Sequence, residues 1–190
     1  MDYLRIIDKY YPEDNALRRL LLEHSQSVAR KALQIVAFHP RLHLDSQFVE
    51  EAAMLHDIGM CRTNAPGIHC HGSEPYILHG ILGRQMLESL GLYRHARVCE
   101  RHTGAGITAA EIISQHLPIT PPRDLLPETL EEQIICYADK FFSKSRPGEP
   151  AKTLERARQT LARFGADTLA RFDAMAERFG DPVTFGVTPP

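Results

Sequence analysis

The stretch EAAMLHDIGM, residues 51–60, places a histidine and an aspartate inside an otherwise apolar helical run. Between Ala52 and Met60, only His56 and Asp57 are polar. A helix that is apolar on all sides is buried on most of them, and an unpaired buried carboxylate costs on the order of several kcal/mol. A divalent cation removes that cost, because histidine and aspartate supply one nitrogen and one oxygen ligand. The stretch therefore predicts that His56 and Asp57 bind a metal ion.

Four other helical segments direct a ligand-type residue toward the interior in the same way. These residues are His24, His79, His102 and Asp139, and each lies three or four positions from apolar residues of its own helix. A single inward histidine is more often a hydrogen-bonded core residue than a ligand. Five such segments are more simply explained by one shared polar centre than by five separate structural causes.

The apolar spacing predicts an all-α fold, a helical bundle forming one domain over residues 1–180, with its core at about 15–146. Helices are expected at 2–9, from Pro12 to Phe38, from 45 or 46 to 58, at 79–90, 92–102 and 108–115, and from 128 or 129 to before Pro147. Residues 60–78 contain prolines and glycines and are predicted to form a long functional loop. A long C-terminal helix is expected over about 150–179, followed by an irregular tail at 181–190.

The quoted segments resemble the HD-domain superfamily of metal-dependent phosphohydrolases, which is named for its His-Asp doublet. The resemblance rests on HSQSVARKA at 24–32, MLHDIGM at 54–60 and YADK at 137–140. His79 and RHTGAG at 101–106 are similar to bacterial HD-type hydrolases of symmetrical dinucleoside polyphosphates. PETLEEQIICYADK, residues 127–140, looks closer to a little-characterised HDIG-type group. The matching segments span about the length of the superfamily's helical core.

The resemblance implies a two-metal site and a hydrolytic reaction. His24, His56, Asp57 and Asp139 would hold one divalent ion, and His79, His102 and a bridging oxygen of Asp57 would hold the second. Ligands of this kind suit iron or manganese, with zinc, cobalt, nickel or magnesium as alternatives. The implied activity is hydrolysis of a phosphoester or phosphoanhydride, with a nucleotide as the expected substrate and metal-activated water as the nucleophile.

Three further residues are candidates for catalysis and substrate binding. Lys140 follows Asp139 directly and is expected to act with Asp57 in catalysis and to bind substrate phosphate. Arg101 and Thr103 flank His102, and we expect them to contact phosphate as well.

The same ligand set leaves two other functions open. Some HD-fold proteins with a di-iron centre cleave C–C or C–P bonds with dioxygen, and their ligands are similar to these. A non-catalytic nucleotide-binding regulatory module is the other alternative, although a sensor has no need of two complete metal sites. Phosphate release without oxygen would favour the hydrolase, whereas oxygen uptake would favour the oxygenase.

Composition narrows the range of partners. The formal net charge is −2, with 22 basic and 24 acidic residues interspersed, which argues against a surface for nucleic-acid polymers. No apolar run reaches the roughly 20 residues that span a bilayer. The N-terminal residues mix charged and apolar types, unlike a secretory signal, so a cytoplasmic location is expected. The apolar face of the C-terminal helix is predicted to pack on the domain or on a second subunit, which makes a homodimer one expectation.

The cysteines and the remaining loop histidines give weaker signals. Cys61, Cys70, Cys99 and Cys136 form no CxxC pair and are expected to be reduced thiols. His69 and His71 flank Cys70 in the long loop, and this short tract is only weak evidence for a metal site. Incidental histidines in a surface loop are the better interpretation, with a role in covering substrate as the alternative.

Overall fold

The computed structural model describes residues 1–181, and within them the chain is mainly helical. The helices are α1 (Tyr3–Tyr10), α2 (Ala16–Phe38), α3 (Ser46–Leu55), α4 (His79–Glu88), α5 (Tyr93–Arg101), α6 (Ala109–Ser114), α7 (Leu130–Asp139), α8 (Leu154–Leu161) and α9 (Ala166–Phe179). The all-α prediction is confirmed. The expected tail falls almost wholly outside the described residues.

Side-chain caps set the beginnings of the helices that carry the site. Asn15 caps α2 by accepting a hydrogen bond from the backbone N–H of Arg18 at 3.0 Å. Helix α2 therefore begins after Asn15, whereas the sequence predicted a start at Pro12. Asp45 caps α3 in the same way and Thr129 caps α7, and both lie at one of the two start positions that the sequence allowed for each helix.

The segment between α3 and α4 contains a small sheet, where the sequence predicted an irregular loop. Its strands are β1 (Thr63–Ala65), β2 (Cys70–His71) and β3 (Glu74–Pro75), in the order β2-β1-β3. Strand β1 pairs antiparallel with β2, with Asn64 opposite His71, and parallel with β3. Strands of two or three residues are too short to show alternating hydrophobicity, so the sequence pattern gave no sign of them.

The C-terminal helix expected over about 150–179 is divided into α8 and α9. The break lies at Gly165, whose φ of +116° no helical residue adopts. Helix α8 also begins later than expected, because the Thr153 side chain caps it by accepting from the Arg156 N–H. The apolar spacing continues across the break, so periodicity alone predicts one helix where there are two.

The apolar face of α9 is buried within the same chain. Phe172 and Phe179 on α9 are fully buried against Tyr137 and Phe141 at the end of α7. The Tyr137 ring centroid lies 5.0 Å from that of Phe141 and 5.2 Å from that of Phe172. This cluster fixes the C-terminal end of α7, where Asp139 is located.

A buried tyrosine holds the turn that follows the His-Asp doublet. The Tyr11 hydroxyl donates to the Ile58 carbonyl at 2.9 Å and accepts from the Cys61 N–H at 3.0 Å. Tyr11 is 4% exposed, so its hydroxyl bridges these two backbone groups in a buried position. We expect Tyr11→Phe to lower the free energy of unfolding by about 1–3 kcal/mol, measured by urea denaturation. The matched change Tyr93→Phe, at a side chain 65% exposed, should have little effect, and equal costs for the two variants would contradict this role.

Candidate metal centre

The carboxylate of Asp57 lies between two pairs of histidines. Its Oδ2 atom is 3.3 Å from Nε2 of His24 and 3.1 Å from Nε2 of His56. Its Oδ1 atom is 3.3 Å from Nε2 of both His79 and His102. Asp57 is fully buried immediately after α3, where the helix gives way to a 3-10 turn. Each oxygen of one carboxylate therefore faces its own pair of imidazole nitrogens.

Asp139, at the end of α7, completes the side of the centre that contains His24. Its Oδ1 atom lies 2.8 Å from Nε2 of His24 and 3.7 Å from Nε2 of His56. Five helical segments thus bring the predicted ligands to one buried point. Ligand atoms lie within 4.8 Å of one another in three groups: His24, His56 and Asp57; His56, His102 and Asp139; and Asp57, His79 and His102.

Backbone carbonyl groups orient three of the histidine rings. Nδ1 of His56, His79 and His102 lies 2.6, 2.8 and 2.8 Å, respectively, from the carbonyl oxygen three residues earlier. A carbonyl oxygen only accepts, so Nδ1 must carry the proton and donate it. The Nε2 lone pair of each ring then points to the centre, the arrangement found for histidines that ligate metals.

The buried polar atoms fit a bound cation. Within residues 1–181, Oδ1 of Asp57 and Nε2 of His56 are buried without a well-aligned hydrogen bond. Nε2 of His79 lies 3.0 Å from Nε2 of His102, although the Nδ1 protons of both rings are committed to carbonyl oxygens. Two lone pairs facing each other at that distance repel, and a cation between them and Asp57 would remove the repulsion.

The charges of the centre also suit a cation. Burial opposes ionisation of Asp57, but His56 and the Lys144 ammonium hold its pKa well below the usual value. Burial and the nearby Lys144 charge lower the pKa of His24 to about 4. Burial lowers that of His79 to about 3, despite the attraction of Asp57. The Asp57 carboxylate is therefore ionised and the rings of His24 and His79 are neutral at neutral pH, the forms that bind metal ions. Burial lowers the pKa of His56, but Asp57 and Asp139 raise it to about 9, so this ring would release a proton when a metal ion binds.

Two lysines lie beside the carboxylates, and the sequence predicted only one of them. Lys140 places its Nζ atom 2.6 Å from Oδ2 of Asp139 and 2.9 Å from the His102 carbonyl oxygen. Lys144, which was not predicted, places Nζ 2.8 Å from Oδ2 of Asp57 and 3.8 Å from Oδ1 of Asp139. It follows the end of α7 in irregular backbone, where helical periodicity gives no direction to a side chain.

We expected Arg101 to contact substrate phosphate, but its side chain does not face the centre. Its Nη1 atom is 3.0 Å from Glu128 and 3.2 Å from Glu132, so two carboxylates already engage the guanidinium. Thr103 lines a cavity that reaches Asp139 and Lys140, a position consistent with the predicted substrate contact.

The loop histidines lie elsewhere. His69 and His71 line a separate cavity with Cys61, and the potential metal-binding groups found in residues 1–181 include neither of them.

Comparison with known proteins identifies the same segments. The family model described as the HD domain matches residues 21–143. An uncharacterised protein of Methanocaldococcus jannaschii is 34% identical over 146 residues, which cover 75% of this chain and 78% of that protein. No solved structure matches the chain significantly. No helix within residues 1–181 combines the length and the apolar character needed to cross a membrane.

Two further relatives are longer proteins. The tRNA (cytidine(56)-2'-O)-methyltransferase of Picrophilus torridus is 35% identical over 128 residues, covering 67% of this chain and 33% of the enzyme. The protein of the same name from Thermoplasma volcanium is 30% identical over 152 residues, covering 80% of this chain and 40% of the enzyme. The chain thus spans only a third to two fifths of these two relatives.

Proposed function

The chain belongs to the HD-domain family, a family of metal-dependent phosphohydrolases, and from this premise we propose that it hydrolyses a small phosphorylated molecule. The bond cleaved is a phosphoester or phosphoanhydride, and the sequence resemblance favours a nucleotide among the possible substrates. One observation carries the proposal: each oxygen of the buried Asp57 carboxylate faces a separate pair of histidine nitrogens.

Six side chains would hold two divalent ions. On one side of Asp57 the ligands are His24, His56 and Asp139, with Oδ2 of Asp57. On the other they are His79 and His102, with Oδ1 of Asp57. Imidazole and carboxylate ligands without thiolate favour iron or manganese, with zinc, cobalt, nickel and magnesium as alternatives. When bound, such ions lower the pKa of water and neutralise charge on phosphate oxygens.

The side chains of the centre have separate roles in this reaction. Asp57 fixes the positions of both sites relative to each other, because its two oxygens belong to one rigid group. Lys140 and Lys144 place ammonium groups beside the carboxylates, where a phosphate bound at the centre gains charge-assisted hydrogen bonds. Burial of the centre strengthens these interactions by keeping bulk water away from the reacting phosphate.

We expect Lys144→Met to lower kcat/KM by about 10²-fold, because it removes an ammonium placed to stabilise charge on the reacting phosphate. Metal content, measured on the same preparation, should be unchanged, since no proposed ligand is altered. Arg101→Met is the matched control, because Glu128 and Glu132 hold this cation. It should keep kcat/KM within about threefold of the parent value. A larger activity loss for Arg101→Met than for Lys144→Met would contradict these roles.

A hydrolysis screen tests the proposal itself. Protein loaded with manganese or iron is incubated without oxygen with nucleoside monophosphates, cyclic nucleotides and dinucleoside polyphosphates, and phosphate-containing products are measured. Hydrolysis that stops when the metal is chelated supports the proposal. Oxygen uptake by the iron-loaded protein, without anaerobic hydrolysis of any substrate, would instead establish the oxygenase alternative.

The names of two relatives describe methylation of tRNA. Because the chain covers only a third to two fifths of those enzymes, we assign no methyl transfer to it. The metal-ligand geometry around Asp57 favours hydrolysis as the activity of this domain.

A further inference from the structure

A cavity of about 570 Å³ opens directly beside the centre. Asp139, Lys140 and Lys144 line its inner end, so a molecule in the cavity reaches Asp139, one of the candidate metal ligands. Ligand pockets usually measure about 300–1,000 Å³, so this one has room for much more than a phosphate group. The part of the substrate that is not phosphate must therefore be bound by the remaining walls.

Those walls are largely apolar. They come from the 3-10 turn before α4, from the segment before α6, from the end of α6 and from α8 with the turn that follows it. The apolar side chains of these walls include Ile77, Ile107, Leu117, Leu161 and Phe164, and Ile68 joins them from the 3-10 turn after β1. Burying such surfaces against a ligand releases about 25 cal/mol per Å² of apolar area. Phe164 is 59% exposed and lines the cavity, so its ring is available for contact with a ligand there.

Cationic side chains are confined to one region of the lining. Lys140 and Lys144 adjoin the carboxylates of the centre, and Lys152 donates a hydrogen bond to the Lys140 carbonyl oxygen at 3.3 Å. Among residues 1–181, no other lysine, arginine or histidine lines the cavity. The cavity thus combines an inner end that suits one phosphate group with walls that suit an uncharged body.

One carboxylate on the outer wall is already neutralised. Both oxygens of Glu111 accept hydrogen bonds from Arg171, at 2.8 and 2.9 Å, and Glu111 also accepts from the Thr108 hydroxyl and backbone N–H. Glu111 is therefore committed to capping α6 and binding α9, and does not mark a site for a cationic ligand.

We propose that this cavity binds the organic part of the substrate, and that the substrate is a phosphomonoester with a predominantly apolar body, aromatic or aliphatic, in place of the nucleotide that the sequence resemblance favours. The inference rests on the proposed function, because it takes the phosphate to lie at the metal centre. Ile77 and Phe164 are assigned as specificity-determining residues. A phosphomonoester with a small hydroxylated body fits the same inner end but leaves the apolar walls uncovered.

Binding of non-hydrolysable phosphonates tests this proposal independently of catalysis. Metal-loaded protein is titrated by calorimetry with methylphosphonate, 1-naphthylmethylphosphonate and 3,4-dihydroxybutylphosphonate. We expect the naphthyl compound to bind at least about tenfold more tightly than the other two, because only its body covers the apolar walls. Ile77→Asn and Phe164→Ala should each reduce that preference by about threefold or more. Tyr93→Ala, at an aromatic residue of similar exposure outside the cavity, should leave it unchanged.

The outcomes separate this inference from the function on which it rests. Equal affinity for the three phosphonates, or an unchanged preference in Phe164→Ala, would overturn the assignment of the cavity while leaving the hydrolase proposal in place. Failure of all three to bind metal-loaded protein would also overturn the assignment of the cavity, whereas the hydrolase proposal would fall only if the hydrolysis screen detected no metal-dependent hydrolysis. Phe164 is exposed, so its replacement by alanine is not expected to disturb folding.

Discussion

Asp57→Asn should abolish metal binding at both sites and lower hydrolysis by about 10³-fold or more. The amide keeps the shape of the carboxylate but loses its charge, and one oxygen becomes an NH₂ group. The NH₂ group cannot ligate a cation. The pair of histidines that it faces therefore loses the carboxylate oxygen that completes its metal site. The remaining oxygen is a much weaker ligand for the other pair. Metal content is measured by elemental analysis after gel filtration, with folding checked by circular dichroism.

Glu100→Gln provides the matched control for loss of a buried carboxylate. Glu100 is 3% exposed and forms ion pairs with Arg84 and Arg123, away from the centre. We expect this variant to be less stable and to keep its full metal content. Asp57→Asn protein that retained as much metal as Glu100→Gln protein would refute the proposed ligand set.

Gly59→Ala should destabilise the fold by more than about 3 kcal/mol and reduce metal content together with stability. A Cβ atom at Gly59 would lie 2.1 Å from the His79 carbonyl oxygen and 2.4 Å from the Gly83 amide nitrogen. Both are backbone atoms of α4, so relief requires moving the helix itself. His79 begins this helix, and the shift would displace its imidazole from Asp57. The glycine that follows the His-Asp doublet by two residues is thus needed for the close approach of α4.

Gly67→Ala is the control for this prediction. No atom lies within 4 Å of a Cβ built at Gly67, and its backbone is not in the left-handed region. Its free energy of unfolding should change by less than about 0.5 kcal/mol. The two variants are compared by urea denaturation and metal analysis. A Gly59→Ala protein as stable as Gly67→Ala would show that α4 can move away at little cost.

The candidate ligands could be predicted because each lies in a helix or within two residues of its end, on the side that faces the interior. Helical periodicity gives the direction of a side chain, so His24 and Asp139 could be assigned to the interior from their apolar neighbours alone. Periodicity also explains why Arg101 does not share the direction of His102. The side chains of adjacent helical residues point about 100° apart. Arg101 precedes His102 in the sequence, but its side chain therefore need not point toward the same centre. The structure accordingly directs Arg101 to Glu128 and Glu132.

Helical periodicity could not predict the features that lie outside regular helices. Lys144 reaches Asp57 from irregular backbone after α7, and no spacing rule connects it to the centre. The short strands depend on tertiary contacts. The break between α8 and α9 depends on the backbone conformation of one glycine, Gly165. A glycine in a helical pattern usually lowers helix stability without ending the helix, so its presence did not predict the break.

Anomalous diffraction from crystals of the manganese-loaded protein tests the central claim most directly. We predict two anomalous difference peaks, one on each side of the Asp57 carboxylate and about 3.5–4 Å apart. One should adjoin His24, His56 and Asp139, and the other His79 and His102. A single peak, or peaks that do not contact Asp57, would contradict a two-metal centre bridged by this residue.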